Sequence, residues 1–216
     1  MANVLCLDFD DTVVMENTAR QMFERFAAPV WREAEARYHA GKMSVEQFNA
    51  AALDLVEATR EELEAYAVEV ATPRPGFLEL LDWAHWNGWV ALVVSNGFDL
   101  YVDPVLDHLG VTRVMRHTGR TRFDYRWRVR YYSPRGVELQ DGFKLAYASS
   151  LKQAGDTVTY VGDGASDVAA ANLAGRVFAR STLLERMSGA HADVTPFETF
   201  HDVVAALEAR PVGYRA

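Results

Sequence analysis

The sequence predicts an α/β protein: a doubly wound, Rossmann-like parallel sheet core with a small inserted helical cap domain. Three observations carry that expectation. Short apolar runs with little polar alternation, the pattern of strands covered on both faces, recur along the chain. Amphipathic helical segments separate them, which implies parallel strands joined by helical crossovers. One long stretch after the first run breaks this rhythm and carries helical pattern alone.

Val4–Leu7 reads as the first strand. From Glu16 to about Thr72 the apolar residues fall at helical spacing: Met22, Phe23, Phe26, then Val45, Phe48, Ala52, Leu55, Val56, then Leu63 and Tyr66. That stretch ends in Thr72-Pro73-Arg74-Pro75-Gly76, a stiff, breaker-rich connection. The expected division is a core domain of residues 1–15 and 75–216 and a helical cap domain of residues 16–74. Phe77 to Asn87 carries Phe77, Leu80, Leu81 and Ala84 at helical spacing and stops at Gly88. Trp89–Val94 is the second expected strand, Thr157–Val161 the third and Arg176–Ala179 the fourth. Helices are expected over Gly142–Ala154, Ser166–Ala174 and Glu198–Ala209, with fraying from Pro211 onward.

The first strand runs into the stretch VLCLDFDDTVV, in which Asp8, Asp10 and Asp11 fall within four residues. Carboxylates crowded at a strand end repel one another and cost desolvation energy, so something must offset them. In doubly wound sheets, ligands sit at the carboxyl ends of the strands. Asp8 and Asp10 lie at that end of the first strand, and Ser95-Asn96-Gly97 at that end of the second. Gly162-Asp163-Gly164-Ala165-Ser166-Asp167 lies there in the third. A hard divalent cation would balance the acids, because Mg²⁺ takes one or two carboxylates and completes its octahedron with water and phosphate. A structural Ca²⁺ site is the plainer alternative, but such sites use a compact ligand loop, and these acids are spread over separate strand ends.

Taken in order, these motifs resemble the haloacid dehalogenase-like superfamily of phosphatases. The matching residues are Asp8-Phe9-Asp10-Asp11-Thr12, Ser95 in VVSNGFD, Lys144 in DGFK, and Asp163 with Asp167 in GDGASD. The resemblance covers roughly residues 1–15 and 75–205. The inserted helices, VVSNGFD and the stretch Gly41–Gln47 are similar to the phosphoserine phosphatases within that superfamily. Three features differ from them: Asn96 replaces a Gly, Phe48–Thr59 lacks the Arg that binds the substrate carboxylate, and Asn17 stands in place of a Glu. The cap and the strand-rich stretch Phe123–Pro134 also resemble the enol-phosphate phosphatases of methionine salvage.

The resemblance implies a Mg²⁺-dependent phosphomonoesterase that hydrolyses a small phosphorylated metabolite through an aspartyl phosphate. Asp8 would be the nucleophile, and Asp10 would protonate the leaving group and then activate water. Ser95 and Lys144 would grip the phosphoryl oxygens, with Thr12 and Asn96 as further phosphate-side candidates. The metal would be held by Asp8, the Asp10 carbonyl and Asp163, with Asp167 ordering bound water. Read from the residues alone, Thr12 is also a loop-fixing residue, Asp11 a turn residue and Asp167 a helix cap. Asn96 reads equally as a left-handed turn former and as a phosphate donor. Phosphotransfer to an alcohol uses the same intermediate and stays open. Haloacid dehalogenation needs no acid two residues after the nucleophile, so Asp10 counts against it. A receiver domain places its phosphoaccepting Asp after the third strand, a poor fit. A catalytically silent binding protein is the non-enzyme alternative.

Half the residues are apolar and 24% are charged, the composition of a globular protein with a sizeable core. No apolar run is long enough to span a membrane, and no basic region precedes the N-terminal apolar run as it would in a secretory signal. Cys6 is the only cysteine, which suits a buried strand position and a reducing, cytoplasmic setting. The net charge of −8 argues against general nucleic-acid binding. Residues 113–135 nevertheless carry eight Arg against one Asp, so the remainder of the chain holds −15. Within that island Arg122–Tyr131 alternates strictly, as a single half-buried strand would. Phe123, Tyr125, Trp127, Val129 and Tyr131 share one face, and Arg122, Asp124, Arg126, Arg128 and Arg130 the other. Protection of an edge strand is the first expectation for the Arg face, ahead of an anionic substrate part or acidic partner. His117 and His191 read as surface or hydrogen-bonded residues rather than ligands. Oligomeric state is not legible.

Overall fold

In the computed structural model, which describes residues 1–191 and 193–209, helices flank both sides of an eight-stranded sheet. The expectations for the chain beyond Pro211 lie outside the described residues. Strand β1 (Asn3–Leu7) leads into four helices: α1 (Thr18–Phe26), α2 (Trp31–His39), α3 (Val45–Leu53) and α4 (Arg60–Val70). Then come α5 (Phe77–Trp86), β2 (Val90–Phe98), α6 (Asp99–His108), β3 (Met115–Asp124), β4 (Arg126–Tyr132) and β5 (Glu138–Leu139). Helix α7 (Phe143–Gln153) and β6 (Thr157–Gly162) follow, then a 3₁₀ turn at Ala165–Asp167 and α8 (Val168–Ala171). The described chain closes with β7 (Arg176–Ala179), α9 (Ser181–Met187), β8 (Val194–Pro196) and α10 (Phe200–Ala209).

The strand order is β5-β4-β3-β2-β1-β6-β7-β8. β1 pairs in parallel with β2 on one side and β6 on the other, and both outer neighbours, β3 and β7, continue the parallel register. Successive strands are thus added outward on one side of β1 and then on the other, and the crevice for a ligand opens where β1 and β6 end. β1 and β6 are buried along nearly their whole length because helices cover both faces, which is why they read as plain apolar runs.

The inserted helices form where the pattern puts them. Two begin with reciprocal capping boxes, Ser44 with Gln47 on α3 and Thr59 with Glu62 on α4, each satisfying two otherwise orphaned backbone donors. Their apolar faces do not close on themselves. Met22, Phe23, Trp31, Leu53 and Leu63 join one buried cluster with the sheet residues Leu5, Val93 and Phe98. No helix among the described residues is long and apolar enough to cross a membrane.

Two expectations need correction. The second strand extends past Val94 to Phe98, so Ser95-Asn96-Gly97 lies inside it, at a register shift against β3. Arg122–Tyr131 is not one strand but the tip of an antiparallel hairpin, reversing at Tyr125, whose φ is +56°. The reversal pairs Asp124 with Arg126 and Phe123 with Trp127, so residue parity is kept and the alternation survives the turn. Trp127, Val129 and Tyr131 are buried, while Phe123 and Tyr125 stand exposed at the tip.

Candidate active site

The crevice at the end of β1 is a cavity of about 200 Å³. Its floor carries Asp8, Asp10, Ser95, Lys144 and Asp163, delivered by the loops after β1 and β6, by β2 and by the first turn of α7. Its roof is built from the inserted helices and includes Ala19, Arg20, Phe23, Tyr38, Phe48 and Asn49.

Lys144 is 3% exposed, and its ammonium lies 2.8 Å from Asp8 Oδ1 and 2.6 Å from Asp167 Oδ1. Burial works against its charge, but Asp167 and Asp8 overcome that and hold the ammonium above its ordinary pKa. Asp8 Oδ1 also accepts the Phe9 amide at 2.7 Å. Among the described residues no donor engages Asp8 Oδ2. Burial, then Asp167, push the Asp8 pKa well above the usual carboxylate range, and Lys144 only partly offsets them. Burial and Asp167 likewise push Asp163 up to about 7.

Asp8, Asp163 and Asp167 each offer a carboxylate oxygen within 4.8 Å of the others. These donors fit a divalent cation: all are hard oxygens, and burial and the neighbouring acids hold the first two in the neutral direction, which a bound cation would oppose. Asp167 stands apart in one respect. It is fully buried, and four protein donors already saturate it: Lys144 Nζ and Tyr160 Oη (2.7 Å) on Oδ1, the Asp163 (3.1 Å) and Gly164 (2.8 Å) amides on Oδ2. Gly162 makes room for it, since a Cβ there would sit 2.7 Å from Oδ2.

Asp10 lines the cavity between two anchors. The Thr18 amide, at the start of α1, donates to its Oδ1 at 2.8 Å, and the Tyr101 hydroxyl donates to Oδ2. Burial pushes its pKa to about 6, against the pull of both hydrogen bonds. Ser95 Oγ accepts the Gly97 amide at 2.9 Å, which leaves its proton for a ligand.

Two phosphate-side candidates are placed differently from expectation. Thr12 is fully buried, does not line the cavity, and donates to Asp163 Oδ1 at 3.1 Å, so it orients that carboxylate instead of touching a ligand. Asn96 has no positive φ, which removes the left-handed reading. Its side chain borders the cavity but donates to Glu46 Oε1 on α3 at 3.0 Å, and its carbonyl accepts from Asn49 and Tyr131. Asp11 is a turn residue as expected, with φ +56°.

Several residues at the site escaped sequence reasoning. Arg74 is buried and donates to the Thr12 (2.7 Å) and Asp11 (2.8 Å) carbonyls, clamping the loop after β1 from behind. Arg180 donates to the same Asp11 carbonyl at 3.2 Å. Their bracketing sequence, Pro73-Arg74-Pro75, was the only trace of the first. Arg20 lies in the roof, paired with Glu24 and Glu35 at 3.2 Å each. The hairpin arginines are not in the cavity. Arg120, Arg122, Arg126, Arg128 and Arg130 are half or more exposed and pair with Asp99, Asp103, Asp124, Asp54 and Glu138. His117 stacks near Tyr147 and His191 contacts the Ala174 carbonyl, both away from the cavity.

This arrangement has relatives. A 2-hydroxy-3-keto-5-methylthiopentenyl-1-phosphate phosphatase of Bacillus thuringiensis subsp. konkukian is 30% identical over 210 residues, 95% of each chain, and its Bacillus anthracis counterpart is 29% identical over the same length. Among solved structures, a phospho-aspartyl intermediate analogue of phosphoserine phosphatase superposes with a TM-score of 0.71 at 21% identity, over 95% of this chain and 98% of that one. The family model of haloacid dehalogenase-like hydrolases matches residues 5–172. The chain belongs to the haloacid dehalogenase-like hydrolase family, as one of its phosphatases.

Proposed function

We propose that the protein is a Mg²⁺-dependent phosphomonoesterase in which Asp8 Oδ2 attacks the phosphorus of a small ester and Asp10 handles the leaving-group proton. The observation that carries this reading is the meeting of Asp8, Ser95, Lys144 and Asp163 on one cavity floor, with one Asp8 oxygen fixed by two donors and the other met by none among the described residues. Mg²⁺ would be held by Asp8, Asp163 and the Asp10 carbonyl, with Asp167 behind them. When bound it supplies countercharge to the acids and to the phosphoryl oxygens. Lys144 and the Ser95 hydroxyl bind two phosphoryl oxygens. The Asp10 carboxyl gives its proton to the departing alkoxide, and the resulting carboxylate takes a proton from the water that hydrolyses the Asp8 phosphate. Residues 16–74 act as the cap that closes over the ester and excludes bulk water.

The roof favours an ester with an apolar tail. Phe23, Tyr38 and Phe48 face the cavity, with the Tyr38 and Phe48 rings stacked at 5.4 Å, and Arg20 is already committed to two glutamates. A methylthio group suits such a wall, since thioether sulfur packs well against aromatic edges. The substrate named for the curated relatives has one, and phosphoserine does not. Hydrolysis of p-nitrophenyl phosphate should require Mg²⁺ and vanish in Asp8→Asn, and retained turnover in that variant would overturn the assignment. A substrate panel should rank the methylthiopentenyl ester above phosphoserine. Transfer of the phosphoryl group to added alcohols, read in the same panel, separates hydrolysis from phosphotransfer.

A further inference from the structure

Nothing in the sequence marks Tyr101, yet the site is built around its hydroxyl. The residue sits on the first turns of α6, fully buried, between the rings of Phe9 and Phe98 at 5.9 and 5.4 Å. Those contacts fix the ring, and its one polar atom meets Asp10 Oδ2. Gly97 is matched to this placement. A Cβ at position 97 would lie 2.1 Å from the Tyr101 hydroxyl oxygen, so no larger residue fits while the hydrogen bond stands. Thr18 N–H meanwhile occupies Asp10 Oδ1. The two anchors differ: the Thr18 amide is fixed and can only donate, whereas the Tyr101 hydroxyl can rotate and also accept, so the transferable proton is placed on Oδ2, which keeps a lone pair for Tyr101.

We propose that Tyr101 is a positioning residue for proton transfer to the leaving group, acting through Asp10 Oδ2. This rests on the reading of Asp8 as nucleophile and Asp10 as acid. In the first step the Asp8 oxygen–phosphorus bond forms as the bond from phosphorus to the leaving oxygen breaks. The proton on Asp10 Oδ2 passes to that oxygen, giving a neutral alcohol and an Asp10 carboxylate. The Tyr101 hydrogen bond to that carboxylate is then charge-assisted, and such bonds are roughly twice as strong as neutral ones. The stabilisation therefore grows along the reaction coordinate, which is the condition for accelerating the step.

The test is the dependence of kcat/KM on the leaving group, which reports the steps up to alcohol release. Phenyl phosphate, with a poor leaving group, needs the proton, whereas p-nitrophenyl phosphate needs it far less. Tyr101→Phe should lose roughly tenfold more kcat/KM on phenyl phosphate than on p-nitrophenyl phosphate, the size expected for one hydrogen bond to a charged group. In an Asp10→Asn background the same substitution should add little to the leaving-group dependence, because no proton transfer is left for the hydroxyl to assist. Equal losses on the two esters, or an undiminished effect in the Asp10→Asn background, would overturn the proposal. If Asp10→Asn itself shows no leaving-group dependence, the acid assignment fails instead, so the two failures are distinguishable. Thermal melts of each variant separate a folding defect from a catalytic one.

Discussion

Asp167→Asn is the most informative single change, because the structure and the family resemblance assign Asp167 different tasks. The resemblance has it ordering water on a metal ion. In the structure its two oxygens receive four protein donors in a fully buried setting. An asparagine keeps one acceptor oxygen and turns the other into an NH₂ donor. If its oxygen faces Lys144 and Tyr160, the Asp163 and Gly164 amides meet a donor. If it is flipped, the ammonium and the phenol do. Two buried donors are orphaned either way, and removing one member of a buried ion pair typically costs about 3–5 kcal/mol. One effect opposes this: Asp8 and Asp163 lose a repulsive neighbour. That relief is smaller, because the substitution also strips Lys144 of its nearer carboxylate partner, and the orphaned donors win.

For a chain of this length, about 2–4 °C of melting temperature accompanies each kcal/mol, so a drop of roughly 6–20 °C is expected. The assay is a thermal melt followed by circular dichroism, run in excess chelator and again with Mg²⁺. The drop should be present in chelator, where no cation is available for Asp167 to serve. A variant that melts with the wild type in chelator, and falls behind only when Mg²⁺ is added, would refute the anchoring argument and restore the metal-side role.

Two further outcomes follow from the geometry. Asp163 has its pKa raised from 3.8 to about 7, so the metal-free folded state holds a proton there that the unfolded chain releases above pH 4. That contribution to stability is full below the unfolded pKa and is lost as pH rises to about 7. In chelator, Asp163→Asn should therefore gain stability relative to wild type as pH rises over that window, and Mg²⁺ should erase the gain; a difference that stays flat with pH contradicts the argument. Glu46 Oε1 accepts from Asn96 Nδ2 at 3.0 Å and from the Phe143 amide at 2.9 Å, latching α3 to the site floor. Glu46→Ala should raise KM for p-nitrophenyl phosphate by about tenfold, the loss expected for a pair of buried hydrogen bonds, and speed proteolysis within residues 16–74, while Glu46→Gln keeps the acceptor and most of the function. An unchanged KM in the alanine variant would show that the latch does not hold the cap.

What was legible in the sequence was whatever local chemistry repeats. β1, β6 and β7 read correctly because strands covered on both faces are continuous apolar runs, and the motif acids stood out because acids at a buried strand end need a reason. The hairpin was misread because its reversal at Tyr125 preserves parity: residues two apart stay on one face whether the chain runs straight or turns back. No Gly, Asn or Pro marks the turn, and Tyr125 takes up a left-handed conformation that a tyrosine seldom adopts. Tyr101 and Tyr160 were invisible for another reason. On a helix or strand an apolar neighbourhood makes a tyrosine look like core, and its hydroxyl partner is set by the fold: Asp10 is 91 residues from Tyr101. The Arg island misled by composition. Arg116 and Arg120 pair with acids of α6, Arg126 and Arg128 with Asp54 after α3, and Arg130 with Glu138 of β5, so much of the positive charge in residues 113–135 is offset by acids that the fold brings to it.

The crowding of acids in VLCLDFDDTVV now has a physical answer in two parts. Lys144 lies among the carboxylates themselves, touching Asp8 and Asp167. Arg74 and Arg180 approach through the backbone carbonyls of Asp11 and Thr12; burial, then Arg180, hold the Arg74 guanidinium below its ordinary pKa, and Asp163, Glu198 and Asp11 only partly offset them. Five acids, Asp8, Asp10, Asp11, Asp163 and Asp167, thus face three cations, which leaves the site short of positive charge. A phosphate monoester brings about two more negative charges to an anionic nucleophile. Among the described residues Arg20 is the one Lys or Arg besides Lys144 that lines the cavity, and it is paired with glutamates. A divalent ion arriving with the ester would make up that difference, so tight binding of phosphate and of Mg²⁺ should each depend on the other. Calorimetric titration of inorganic phosphate with and without Mg²⁺ measures that coupling, and equal affinities in the two conditions would sink the charge-balance argument.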